Sequence, residues 1–424
     1  MVKASALYIV IIIALVIGVI CSSLIVAAYF YREQYQRKLR FDQLENNLNS
    51  GVNILTGSSD TSFATEKTFS LFGGDADSIS LRKLHWGVYD IGVAKALIQK
   101  DTLYKTFSLA YTIDSAKWAA VYLIDEDRPF SLSGKTTIRG DAYLPKAGIQ
   151  TAYIDNQSYE GDKRLVIGKK NTSERKLPAL DDERLNELKS HFNADAYAGA
   201  GTTLPERDTV ENSFLKPVSV FDFKKEVVAI SNIKLSGNLI IHSDTTVTID
   251  STSVLKNVQV YARAIIVKSG FRGNCQLFAS DSIRVEQNCT FQYPSCLGLL
   301  RFDVPPVLNS QQKISMGKNT VFNGLIFSYD KTNNPLKPLI ALEKKVKVTG
   351  QIYSQGILQL VGDNEIDGSV FTGRFWYKSS SSLYENYLIN STIDTKALSP
   401  YYLTSGLLPV ATKRKKVLQW LEAN

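Results

Sequence analysis

From Ser5 to Phe30 the chain carries no charged residue, and charge enters only at Arg32. An apolar run of about twenty residues crosses a hydrocarbon core of roughly 30 Å as an α-helix, so this stretch predicts a transmembrane span. It passes through Tyr29, Phe30 and Tyr31 into a charged segment, with no small-x-small cleavage site, which favours a permanent anchor over a removed secretory signal. Beyond it Leu44, Leu48, Val52 and Leu55 recur at helical spacing, while Arg37, Lys38, Arg40, Asp42 and Glu45 occupy the other faces. No proline or glycine interrupts that pattern before Gly51, so residues 6–56 predict one helix of roughly 75 Å at about 1.5 Å per residue. The amphipathic stripe must cover either the chain's own globular part or a neighbouring helix.

The pattern then changes period. Val247, Ile265 and Ile283 are spaced by eighteen, as are Ile249, Val267 and Val285, each pair an apolar-x-apolar strand core. A second strand precedes each, in "GNLII" at Gly237, "NVQV" at Asn257 and "GNCQLF" at Gly273. After "DVPP" the theme returns as "NGLIFS", "TGQIYS" and "DGSVFT", and Gly350 and Gly368 are again eighteen apart. That period is too short for a strand–helix–strand unit. It predicts a mainly β fold, a parallel β-solenoid (β-helix) of about 18-residue coils whose stacked apolar faces form the core. Glycine and asparagine would supply the positive-φ corners.

The expected organisation is a short leader at 1–5, the transmembrane and stalk helix at 6–56 and a small β-rich cap at 57–130. A solenoid at 131–375 and a C-terminal cap at 376–424 follow. "FSLSGKTTIRGDAYLPKAGIQ" reads as an early coil on which later residues stack. "LDDERLNELKSHF" predicts an inserted helix near 181–195, with Asp181, Asp182 and Glu183 where a helix N-terminus favours negative charge.

The leader "MVK" and "ASAL" opening an apolar helix that continues as an amphipathic one resemble the N-terminus of type IV pilus minor pilins and type II secretion pseudopilins, over about the first fifty-five residues. The sequence departs from the major pilins in lacking a glutamate five residues into the helix and a glycine before the cleavage point. The resemblance implies a cell-envelope assembly role, with helix contacts to similar proteins through Leu44, Leu48, Val52 and Leu55. The rungs in "VTGQIYSQGILQLVGDNEIDGSVFT" are similar to those of bactofilins, cytoplasmic polymer-forming scaffolds.

Charge leaves orientation open. Lys3 and the amino terminus stand on one side of the span against Arg32, Arg37, Lys38 and Arg40 on the other, and the positive-inside rule places the body in the cytoplasm. The pilin-like start and the Ser/Thr/Asn-rich β body favour an exported one, on the inner (cytoplasmic) membrane with the body in the periplasm or outside the cell. The net charge of +8 is spread along the chain apart from "KRKK" at Lys413–Lys416, which reads as a solvated surface and gives no reason to expect nucleic-acid binding.

Candidate chemistry is sparse. Three histidines (His85, His191, His242) and four cysteines in 424 residues leave little material for a metal site, and each histidine reads as a surface or packing residue. Cys21 follows Ile20, where a lipobox needs a small residue, and Cys275, Cys289 and Cys296 allow at most one disulfide. Asp244, Asp250, Asp281 and Glu286 project near the rungs, and Asp250, Lys268 and Glu286 read as a ladder of alternating charge, not as the paired acids of a glycosidase. No phosphate loop, dinucleotide fingerprint or nucleophile elbow occurs. The sequence therefore predicts no catalytic, cofactor-binding or metal-binding residue and no cofactor. It predicts a single-pass structural protein with membrane lipid around residues 6–30. A polysaccharide-binding or polysaccharide-cleaving β-helix and a bactofilin-like cytoplasmic scaffold are the alternatives.

Overall fold

A computed structural model describes the chain apart from residues 1, 59, 74–76, 193–196, 198–200, 202–203, 205–207, 304–310, 333, 380–381 and 424. The fold is mainly β with a long N-terminal helix, and it divides into two compact units. Residues 1–84, 92–107 and 420–424 form one unit; residues 85–91 and 108–419 form the other.

In the first unit, α1 runs Val2–Gly57 without interruption. Its N-terminal half exposes every large apolar side chain from Leu7 to Phe30, and the segment is long and apolar enough to cross a membrane, with a mean hydropathy of 3.2 in its most apolar window. The distal half behaves oppositely. Leu44, Leu48, Val52 and Leu55 retain 7% or less of their surface. They lie on an antiparallel sheet of order β1 (Lys67–Phe69), β2 (Asp77–Trp86), β3 (Tyr89–Ile98), β4 (Asp101–Ile113) and the C-terminal strand Ala411–Ala423, of which residues 67–69, 77–84, 92–98, 101–107 and 420–423 belong to this unit. Gly51 lets the helix approach closely, because a Cβ there would strike the side chains of Ile79 and Leu81. Asn47 Nδ2 donates to Asp77 Oδ2 at 2.8 Å within this contact, and Arg40 Nε pairs with Asp101 Oδ2 at 3.0 Å beside it. Each buried leucine contributes about 1.5–3 kcal/mol. This corrects the expectation that Leu44, Leu48, Val52 and Leu55 meet neighbouring helices: the chain's own sheet covers them.

In the second unit most strands join one closed, barrel-like and predominantly parallel sheet. Strands far apart in sequence pair in register, so side chains form columns. One column runs Val247, Ile265, Ile283, Ile314, Ile340, Leu358, Phe375, each opposite the next. A second runs Phe291, Phe322, Val348, Ile366, Ile393, Ile138. All thirteen side chains are buried in one hydrophobic core. Tilted rings follow one another in it, with Phe271–Phe291 and Phe291–Phe322 centroids both 5.3 Å apart, close to the ~4.8 Å separation of paired strands.

Two further columns turn the chain. Gly324, Gly350 and Gly368 are aligned, with φ of 144°, 143° and 154°. A Cβ at Gly350 would collide with the Gly324 carbonyl, and one at Gly368 with the Gly350 carbonyl, so only glycine fits. Asn288, Asn319, Lys345, Asp363 and Asn390 all take left-handed backbone conformations. The N–H of each of the first four donates to a carbonyl of the following turn, from Asn288 to Lys318 at 2.9 Å through Asp363 to Asn390 at 2.6 Å.

The stack does not follow sequence order throughout. Val121–Leu123 pairs with Val370–Thr372, and Thr137–Arg139 pairs with Thr392–Asp394. The segment expected as an early coil thus stacks on the last turns, as Phe130–Ser133 beside Tyr387–Ile389 also shows. The inserted helix is present as α2 (Asp182–Ser190), whose N-cap Asp181 accepts from the Arg184 N–H at 2.9 Å. Of the C-terminal region, residues 383–394 pair within the parallel body and Ala411–Ala423 joins the antiparallel sheet.

The glycine column makes a sharp expectation. Gly350→Ala should destabilise the β body by more than about 2 kcal/mol, as a substitution at strained backbone does, whereas Gly18→Ala, with open space around it, should leave the unfolding transition unmoved. Thermal unfolding of the detergent-solubilised chain, followed by circular dichroism, distinguishes them.

Candidate functional site

The left-handed column ends in an open groove of about 630 Å³. Asp363, Asn390 and Gly134 form its floor, each at positive φ, and Glu160, Glu365 and Lys135 rise from the adjoining turns. Asn390 organises the place. Its Oδ1 accepts from the Lys135 N–H at 2.9 Å, and its Nδ2 donates to Gln157 Oε1 at 2.7 Å. One turn back, Asn364 Oδ1 accepts from the Gly362 N–H at 3.1 Å while its Nδ2 donates to the Glu343 carbonyl at 2.7 Å. Glu365 is held by Lys347 at 2.8 Å, and the same ammonium reaches Asp367 at 3.0 Å. The groove thus offers three carboxylates and several amides to a hydrogen-bonding ligand. Among the described residues no aromatic side chain lines it. The half-buried tyrosines Tyr377, Tyr384 and Tyr387 form their own cluster, where Tyr377 donates to Asp155 at 2.6 Å.

None of the four acids singled out in the sequence lines this groove. Asp250 accepts from the N–H and hydroxyl of Thr252 at 3.0 and 2.9 Å, and these bonds hold its carboxyl below the ordinary value. Glu286 meets Lys268 at 3.2 Å and the Ser269 N–H at 3.2 Å; burial opposes these contacts, which still hold it below the ordinary range. Lys268 and Glu286 are therefore the cross-turn pair that their spacing suggested, and an exposed pair of this kind contributes little. The sequence missed Glu160, Asp363, Asn390 and their neighbours because a groove made by three separate segments leaves no local spacing.

Two of the three histidines, His191 and His242, lie near one another. His242 Nδ1 lies 2.8 Å from Asp222 Oδ1, both buried. Tyr197 bonds to His191 and tilts over His242 at 5.2 Å, and His191 stacks on Tyr261 at 4.6 Å. Burial, then repulsion from His242, pushes His191 down to about 4. His85 lies apart, with Nδ1 2.9 Å from Asp90 Oδ1. Arg184 of α2 reaches the same carboxylate oxygen at 2.6 Å and donates to the Tyr89 carbonyl at 2.9 Å, fastening α2 through a buried pair. Burial disfavours the Asp90 carboxylate, but Arg184 and His85 together outweigh it and hold the carboxyl well below its usual range. Cys275, Cys289 and Cys296 are buried free thiols, and burial raises Cys275 and Cys289. Among the described residues no three His, Cys, Asp or Glu side chains are grouped to hold a metal ion.

No family model and no curated protein sequence matches the chain. The crystal structure of the competence-associated pilin ComZ from Thermus thermophilus is similar over 85% of this chain and 86% of its own, at 12% identity and a TM-score of 0.24. A similarity of that size carries no argument.

The His191 environment sets a pH dependence. The folded value lies below the ordinary 6.5, so the unfolded chain binds the proton more readily; the contribution is complete above about pH 6.5 and is lost as pH falls through about 4. His191→Asn should flatten the stability profile of the β body between those values, measured by urea unfolding at a series of pH values. An unchanged profile would contradict this.

Proposed function

We propose that this protein is a membrane-anchored structural component of the cell envelope, in which α1 assembles beside other pilin-like helices and the β body, a β-solenoid, is displayed to a partner. The observation that carries the reading is the contrast within one helix: an exposed apolar half continuous with a half whose apolar stripe is already covered. Exposing more than twenty apolar residues to water is untenable, so that half requires lipid or other apolar helices. The solenoid assignment is supported by the in-register columns at eighteen-residue separation, such as Val247, Ile265 and Ile283. We read the body as non-catalytic, its flank groove taking a hydrogen-bonding ligand such as a polysaccharide; Glu365 is already engaged by Lys347.

Because Leu44, Leu48, Val52 and Leu55 are covered, assembly must use the exposed side of α1, including Leu24, Tyr35 and Leu39. The body faces the periplasm or the outside in this reading, as the pilin-like start suggests. The four basic residues after the span support the opposite arrangement, a scaffold on the cytoplasmic face. Protease added to intact spheroplasts decides: loss of a C-terminal tag supports the outward body, protection the inward one.

Carbonate extraction should leave the full chain in the membrane pellet. In whole cells, single cysteines at Leu24, Tyr35 and Leu39 should crosslink to another membrane protein, and one at Leu48 should not. Absence of coupling from all three exposed sites would remove the assembly role while leaving the anchor intact.

A further inference from the structure

Where α1 leaves its apolar segment, it faces the β3–β4 turn across a groove of about 1100 Å³. Arg37, Lys38 and Arg40 of α1 and Lys100 of the turn line it, against Glu33 and Asp101. Two of the cations are matched within the groove, Arg37 by Glu33 at 2.8 Å and Arg40 by Asp101 at 3.0 Å. Lys38 and Lys100 are exposed and have no ion-pair partner among the described residues. Phe41, 51% exposed, adds an apolar surface beside them. The site is therefore two uncompensated ammonium groups with an apolar floor.

Its place on the helix identifies what it would meet. Arg37 follows Phe30 by seven residues, ~10 Å of helix. The polar layer of a bilayer extends roughly 5–8 Å beyond its hydrocarbon core. Helical side chains lean toward the N-terminus, here toward the membrane, so Lys38 and its neighbours reach back into that layer. A basic groove at this depth attracts anionic headgroups, each lysine or arginine near the surface adding to the attraction.

We propose that this groove binds the headgroup of an anionic phospholipid, its phosphate between Lys38 and Lys100 with Phe41 as the apolar wall beside them. The inference rests on the membrane anchoring argued above and adds a lipid preference to it. Occupancy would tie the turn of the sheet to the bilayer surface and fix the angle at which the first unit leaves it.

The test uses the full chain in a neutral detergent, with native mass spectrometry counting retained lipid. Phosphatidylglycerol should be retained in preference to phosphatidylcholine, and Lys38→Ala with Lys100→Ala should weaken that retention on the order of 10- to 30-fold. Lys38→Arg with Lys100→Arg should preserve it. Inorganic phosphate added in excess should compete if the phosphate alone is recognised, and fail to compete if the site needs the lipid at the same time. Equal retention of the two lipids, or a double alanine variant that holds phosphatidylglycerol like the parent, would overturn the proposal. Carbonate extraction of the same variants separates the two readings: a chain that stays in the membrane without lipid preference loses only the groove, and one released from the membrane loses the anchor as well.

Discussion

The constraint on which the β body depends is that each turn must give its backbone hydrogen bonds to the turn beside it. Parallel pairing permits no short hairpin between partners, so the chain has to travel round the body before it can pair again. That geometry puts equivalent positions on top of one another. Apolar residues then build continuous columns, and a residue with the wrong backbone freedom is wrong for its neighbours as well as for itself. The Gly324, Gly350 and Gly368 column is the clearest case, because each glycine lies where a Cβ would strike a carbonyl of an adjoining turn.

The same logic governs the ends. A stack left open would expose unpaired strand edges, which invite addition of another chain. Here residues 121–172 supply strands that pair with and extend the turns at 364–394, so distant segments of one chain share a layer. The groove around Asn390 is a product of this arrangement, since Asp363, Asn390 and Gly134 come from three segments brought to one corner. Its polar character follows from the same cause: left-handed corners favour Gly, Asn and Asp, and here Asp363 and Asn390 line the groove with polar side chains.

Much of the architecture was legible where periodicity was local. The eighteen-residue spacing of Val247, Ile265 and Ile283 reappears as direct register partners, and so does that of Gly350 and Gly368. Spacing fails where insertions intervene: Gly324 and Gly350 are partners twenty-six residues apart, because the connection after Asp330 lengthens the turn. The stripe at Leu44, Leu48, Val52 and Leu55 announced a buried face, but helical period says only that something covers it, not what. The pairing of Ile393 with Ile138 and the meeting of His191 with His242 and Asp222 were invisible, since short strands and single polar residues far apart carry no shared pattern. The candidate groove was missed for that reason.

Stacking of the turns is the central claim, and a distance along the stack tests it most directly. Thr290 and Thr137 lie on one outward column, separated by five pairing steps through Val321, Lys347, Glu365 and Thr392. Spin labels at the two threonines should be about 24 Å apart, at ~4.8 Å per step, and moving the second label from Thr137 to Thr392 should shorten the distance by about one step. An undefined distance, or one indifferent to that move, would contradict the account.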